Sequence, residues 1–205
     1  MADRPQFEHR GQGLVVRAPA KLNLTLLISG KRPDGFHELE TIMAKIDLYD
    51  EVFIEHGTKR GIELICRGDY EVPAGKGNLI WRAAEKILQK SGQQADVRLI
   101  LTKNIPPGSG LGSGSSDAAA TLMGLNRFLG LGLSEAGLYE PACELGSDVP
   151  FFLNSPIAFC AGRGEKIRPL KEPYYFSALV VLPDINVSTQ KVYKNYDHNP
   201  QLYET

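Results

Sequence analysis

Pro106-Pro107-Gly108-Ser109-Gly110-Leu111-Gly112-Ser113-Gly114-Ser115-Ser116-Asp117-Ala118-Ala119-Ala120 decides how the rest of this chain is read. Glycine takes every second position from Gly108 to Gly114, and an alanine-rich run with Leu122, Met123, Leu125 and Leu129 follows at once. Glycines let a backbone turn sharply and approach a ligand with no Cβ in the way. A loop of this kind that opens into a helix presents free N–H groups and a positive dipole end, both of which favour an anion. The hydroxyls of Ser113, Ser115 and Ser116 add donors for phosphate oxygens or ligands for magnesium. A flexible Gly/Ser linker has the same composition, but a linker does not run straight into apolar residues at helical spacing. The common nucleotide motifs do not fit. No lysine follows the glycines as a P-loop requires. The third glycine of Gly-x-Gly-x-x-Gly is replaced by Ser113 or Ser115, which also excludes the protein-kinase glycine loop.

Outward from the loop, the periodicity predicts an irregular alternation of elements. Val97 to Thr102 reads as the strand that delivers the chain to the glycines. Ser116–Leu129 and Ser134–Leu145 read as helices. Asn78–Lys90 is the clearest amphipathic helix, with Ile80, Ala83, Ala84, Ile87 and Leu88 on one face. Gly13–Ser29 alternates as one or two strands, Arg32-Pro33-Asp34-Gly35 is a turn, and Phe36–Ile46, Glu51–Glu55 and Gly61–Arg67 are further strands. Phe151–Phe159 and Phe176–Leu182 are expected to be buried strands. Ser188–Tyr193 is expected to open a last helix, and residues 1–12 to form a mobile tail. This order predicts an α+β fold, not a doubly wound parallel sheet.

The chain of 205 residues has room for one large domain, or one domain and part of another. A formal net charge of −1 argues against a nucleic-acid coat or an anionic-membrane binder. The polar N-terminus is no secretory signal, and no apolar run approaches the roughly 18 residues of a membrane span. Three cysteines without close spacing, Cys66, Cys143 and Cys160, argue against a disulfide framework or a zinc site. A reducing cytoplasm is expected.

Phosphoryl transfer needs more than a phosphate cradle: a group facing the accepting hydroxyl, a cation and a metal. In Gly146-Ser147-Asp148-Val149-Pro150, Asp148 stands between a helical run and an apolar one; alone it reads equally as a turn aspartate before Pro150. In Pro19-Ala20-Lys21-Leu22-Asn23-Leu24, Lys21 interrupts an apolar strand and Asn23 shares its face. A lone strand lysine is usually solvated, but one beside an aspartate holds both charges in a cleft. Phe36 and His37 offer a ring on which a base can stack and an imidazole for its edge. Taken alone they read equally as a packed Phe and a surface His. Lys103 precedes the loop and either touches a nucleotide or is exposed.

Together these segments resemble the GHMP kinases, the superfamily of galactokinase and of homoserine, mevalonate and phosphomevalonate kinases. The loop is similar to their second motif, and order and spacing agree over roughly residues 14–195. Arg32-Pro33-Asp34-Gly35-Phe36-His37-Glu38-Leu39, with Pro19–Leu24, Asn78-Leu79-Ile80 and Gly146–Phe152, resembles the branch that phosphorylates a cytidine diphosphate-linked methylerythritol for non-mevalonate isoprenoid synthesis. The resemblance implies a GHMP-kinase N-terminal domain of the ribosomal protein S5 domain 2-like type over residues 13–168. The beginning of a substrate-binding α+β domain, incomplete, would cover 169–205. It implies ATP and Mg2+ as cofactors and a small-molecule substrate, with no nucleic-acid or membrane partner.

It also implies roles. Asp148 takes or orients the proton of the acceptor's 2-hydroxyl. Lys21 keeps Asp148 ionised and stabilises the transferring phosphoryl, and Asn23 places the hydroxyl. Pro106 and the loop Gly108, Ser109, Gly110, Leu111, Gly112, Ser113, Gly114, Ser115 and Ser116 cradle the ATP phosphates, with Ser115 or Ser116 next to the metal. Asn78, Ile80 and Lys103 sit near the adenine. His37 reads the cytosine between Phe36 and Tyr193. Phe36 stands where the family usually has Tyr, Tyr193 where it often has Phe, and Ser147 where Ala is common. Nothing here corresponds to the family's third glycine motif, so a shortened form is expected. A nucleotide-binding module without catalysis and a GHMP kinase for another small alcohol remain as alternatives.

Overall fold

Burial alternates strictly along Val97-Arg98-Leu99-Ile100-Leu101-Thr102-Lys103, as a strand with one face on a core requires. A computed structural model describes residues 6–33, 35–153, 156–170 and 175–182. Among these the elements are β1 (Phe7–Arg10), β2 (Gly13–Lys31), β3 (His37–His56), β4 (Ile62–Gly68), α1 (Leu79–Ser91), β5 (Val97–Lys103), α2 (Ser113–Phe128), α3 (Glu135–Leu145), α4 (Val149–Leu153), β6 (Ile157–Gly162) and β7 (Lys166–Pro169). The strands form one mixed sheet in the order β1-β2-β3-β5-β4, and β6 joins β3 and carries β7. All pairs are antiparallel except β4 with β5. This is the α+β class that the sequence predicts.

The long β2–β3 hairpin is the spine. β5 pairs with the Glu51–His56 half of β3, while β6 pairs with Leu39–Ala44. Such long strands coil, and register shifts between Pro19 and Ala20, between Asn23 and Thr25, and between Ile28 and Gly30 absorb the coiling. Pro19 sits at the first of these, where a missing N–H is tolerated. The expected separate strands Phe36–Ile46 and Glu51–Glu55 are therefore one.

The core lies between one sheet face and the helices. Leu14, Val16, Val52, Ile54, Leu99 and Leu101 meet Ile80, Ala84 and Ile87 of α1 and Ala118, Leu122 and Leu125 of α2. Each large side chain fully buried this way contributes about 1.5–3 kcal/mol. α2 comes especially close to the sheet at Gly124, where a Cβ would lie 2.5 Å from Ile54 Cδ1 and 2.7 Å from Val16 Cγ2. α1 starts at the Asn78 cap, whose Oδ1 accepts the Ile80 N–H at 2.9 Å. It ends at Gly92 in the left-handed region. α1 and α3 are laced by the ion pairs Lys86–Glu144 and Lys90–Glu140.

Three expectations are corrected. Residues 7–10, placed in a mobile tail, form β1 and pair with Gly13–Val16. The apolar run from Phe151 is not one strand; it finishes the short helix α4, and β6 begins only at Ile157. A short all-apolar run has no period to separate the two. Phe176–Leu182 is not a buried strand: Leu179 is 92% exposed and Val181 77%. The expected Ser188–Tyr193 helix lies outside the described residues.

Candidate active site

β5 delivers the chain to the glycine loop, and the loop opens into α2. Gly108, Gly110 and Gly112 all have φ between 70° and 79°, so the loop turns through backbone conformations that side chains disfavour. Gly112 is the N-cap of α2 and supplies no side-chain cap. The first-turn amides of Ser113, Gly114 and Ser115 are those that a helix leaves without an internal partner; the ladder starts with Ser116 N–H to Gly112 O at 2.9 Å. Ser109 Oγ donates to Pro106 O at 2.7 Å and fixes the entrance.

The loop is clamped onto β2. Lys21 N–H donates to Leu111 O at 2.9 Å. A Cβ on Gly112 would stand 3.0 Å from both Lys21 Cγ and Phe152 Cζ. Lys21 is thus 7% exposed. Its ammonium donates to Asn23 Oδ1 at 2.5 Å and lies 3.6 Å from Asp148 Oδ2. Asn23 is oriented by its other end, Nδ2 donating to Thr41 Oγ1 at 2.8 Å, and Thr41 donates to Thr25 O. Asp148 stays 31% exposed, so the carboxylate faces an opening. The structure therefore brings Lys21, Asn23, Asp148 and the mouth of the loop together. Two neighbours frame the cluster. Lys45, opposite Lys21 in the strand register, donates to Phe152 O at 3.1 Å, and burial lowers its pKa to about 8. Burial, with Asp148 adding to it, pushes the Cys160 thiol up to about 12 and keeps it protonated.

On the other flank of the loop lies a cleft of about 210 Å³, lined among others by Val72, Asn78, Leu79, Pro107, Gly108 and Ser113. Two residues expected near the adenine are placed as follows. Ile80 is 0% exposed in the core, and Leu79 lines the cleft in its place; one residue along a helix turns a side chain by about 100°. Lys103 also lines the cleft, but as a buried residue. It is 2% exposed, with its ammonium between Asp50 and Asp117, the latter at 2.7 Å. Asp50 Oδ1 also accepts the Asn104 and Ile105 amides at 2.6 and 2.9 Å. Asn78 lines the cleft while capping α1, its Nδ2 donating to Pro73 O at 2.8 Å.

The buried Asp50–Lys103–Asp117 cluster was not legible before the fold. It ties β3, β5 and α2 together directly beneath the glycine loop. Two carboxylates share one ammonium in a dry place. Burial raises the Asp117 pKa, and Lys103 offsets this only in part. The available signal was an aspartate, Asp117, directly before the apolar run Ala118-Ala119-Ala120 of α2. Ser116 Oγ and Asp117 Oδ1 are buried with no hydrogen-bond partner among the described residues.

Phe36 and His37 stand at the far end of the hairpin. His37 opens β3 opposite Lys31, six residues along the strand from Met43, the partner of Asn23; six extended residues span roughly 20 Å. Phe36 is 51% exposed, and the Arg163 guanidinium lies 4.7 Å from its ring centre. Tyr193 lies outside the described residues.

Residues 78–155 match the family model described as the GHMP kinases N terminal domain. A 4-diphosphocytidyl-2-C-methyl-D-erythritol kinase from Geobacter sp. (strain M21) is 46% identical over 182 residues, covering 89% of this chain and 65% of the relative. The kinase of the same name from Methylacidiphilum infernorum (isolate V4) is 48% identical over 181 residues, covering 88% and 63%. A crystal structure of 4-(cytidine 5'-diphospho)-2C-methyl-D-erythritol kinase superposes with a TM-score of 0.72 at 37% identity, covering 88% of this chain and 63% of that one. The chain thus spans a little under two thirds of the length of these relatives.

Proposed function

We propose, on the premise that the chain belongs to the GHMP kinases, that it transfers the γ-phosphoryl of ATP to the 2-hydroxyl of 4-diphosphocytidyl-2-C-methyl-D-erythritol. The observation that carries this reading is the Lys21–Asn23–Asp148 cluster set against the mouth of the glycine loop. The named relatives supply the acceptor.

In this reading the ATP phosphates rest on the first-turn amides of α2, and the adenine enters the cleft beside Asn78 and Leu79. Asp148 accepts the proton of the 2-hydroxyl as its oxygen attacks the γ-phosphorus. The O–P bond forms as the bond from the γ-phosphorus to the β,γ-bridging oxygen breaks, and ADP leaves. Lys21 pairs with Asp148 and offsets charge on the transferring group. Asn23, fixed by Thr41, holds the hydroxyl in line. Among the described residues no group of three or more His, Cys, Asp or Glu side chains is placed to hold a metal. A magnesium ion that arrives with ATP fits the buried, unpartnered Ser116 hydroxyl and its neighbour Ser115. Such an ion supplies charge neutralisation between the phosphates. His37 and Phe36, with Tyr193, hold the cytosine end. Residues 13–168 act as the nucleotide-binding unit, to which the structure adds β1, and 169–205 lead towards the acceptor-binding part. The reaction belongs to non-mevalonate isoprenoid precursor synthesis, in a cytoplasm that suits three free thiols.

The test is ADP release with ATP and one of three acceptors: the diphosphocytidyl methylerythritol, homoserine or mevalonate. ADP should form with the first alone, and cytidine nucleotides should compete. Release with homoserine or mevalonate, unaffected by cytidine nucleotides, overturns the acceptor. ATP binding without turnover on any of them overturns the catalytic reading in favour of a nucleotide-binding module.

A further inference from the structure

The β6–β7 turn, residues 163–165, passes directly over the site. A Cβ on Gly164 would stand 3.6 Å from Asp148 Oδ1 and 3.5 Å from Met43 Cε. The turn is held from within: Arg163 N–H donates to Glu165 Oε2 at 2.6 Å, and Gly164 N–H to Ala161 O at 3.2 Å. Its backbone therefore sits at the hydroxyl end of the acceptor path. Its one long cationic side chain reaches the other way, with the guanidinium 4.7 Å from the Phe36 ring centre. Arg163 has no carboxylate within ion-pair distance among the described residues, whereas Lys21 is held by Asn23 and Asp148, and Arg32 by Glu38 at 2.8 Å. The nearby Glu165 carboxylate is turned to the Arg163 backbone, not to its side chain.

We propose that Arg163 is a specificity-determining residue that holds the diphosphate of the acceptor, the anionic stretch between the base at Phe36 and the hydroxyl at Asp148. The proposal rests on the acceptor reading above. A planar guanidinium fork matches phosphate oxygens two at a time. A contact with the face of a half-exposed ring is the weaker of the two, so the side chain is parked on Phe36 and is released to the diphosphate when the base takes the ring. Arg163 would then select a nucleoside-diphosphate acceptor over a bare alcohol of the same shape.

Calorimetric titration of the protein with cytidine and with cytidine 5′-diphosphate tests this. Native protein should bind the diphosphate the more tightly. Arg163→Gln should weaken the diphosphate by roughly 10–100-fold, the weight of charge-assisted phosphate hydrogen bonds, and leave cytidine within about 2-fold. Arg163→Lys, which keeps the charge but loses the fork, should recover part of the loss. Unchanged cytidine binding in the variant also shows that its site is folded. An Arg163→Gln protein that binds the diphosphate as the native one does overturns the proposal. So does an equal loss for both ligands, which would assign Arg163 to the ring alone. Native protein that binds ATP but neither cytidine ligand fails the acceptor reading itself and takes this proposal with it.

Discussion

Lys103 shows how much one buried side chain can organise. Its ammonium joins a strand, the next strand and the helix that follows the loop, through Asp50 and Asp117. Removing the cation leaves the Asp50 carboxylate uncompensated and takes a partner from the Asp117 carboxyl in a dry place, so Lys103→Met should destabilise the fold by about 3–5 kcal/mol in urea titrations. The cluster also predicts a pH dependence. Asp117 binds its proton more tightly folded than unfolded, so its contribution is fully present below the unfolded pKa. That contribution is lost as pH rises through the folded one, about 8. The denaturation midpoint should therefore fall between roughly pH 4 and pH 8. Asp117→Asn should flatten the slope, and an unchanged slope in that variant would remove the assignment. Sequence could not have shown this. Lys103 reads as a strand-end lysine, and its partners lie 53 and 14 residues away.

At the scale of elements, the glycine loop works because it is pressed against β2. Gly112 combines a left-handed backbone with crowding from Lys21 and Phe152. Gly112→Ala should cost about 1–3 kcal/mol and reduce ATP affinity as the loop is pushed off β2. Gly92→Ala makes the control: the φ of 66° is similar, but no atom lies within 4 Å of the added Cβ. It should lower stability and leave ATP binding intact. Equal effects of the two variants on ATP binding would contradict the loop's role. Helices were the legible elements, since caps and three-to-four spacing mark them locally: Asn78 and Ser134 each begin one. The hairpin was read in pieces because its bulges break the two-residue alternation at Pro19, Asn23 and Ile28. The run from Phe151 was read as a strand because apolar residues on every side carry no period. In the site, Lys21 and Asn23 share a face by simple alternation. Ile80 lies in the core while its neighbour Leu79 lines the cleft, and Arg163 looks like any turn arginine until the fold sets it over Phe36.

Across the whole molecule, the site is a product of packing. Lys21 comes from the spine of the sheet, the loop from the end of β5, and Asp148 from the joint between α3 and α4. α2, which opens from the loop, lies close on the sheet at Gly124. The role proposed for this meeting of acid, amine and anion-binding loop is phosphoryl transfer. The most direct measurement is ATP-dependent phosphorylation of 4-diphosphocytidyl-2-C-methyl-D-erythritol by the native protein and by Asp148→Asn, with ATP affinity measured on both. Asp148→Asn should lose about 10²–10⁴-fold in turnover, with ATP affinity within about 2-fold of native because Asp148 lies outside the phosphate cradle. Turnover by Asp148→Asn equal to that of the native protein would contradict that role.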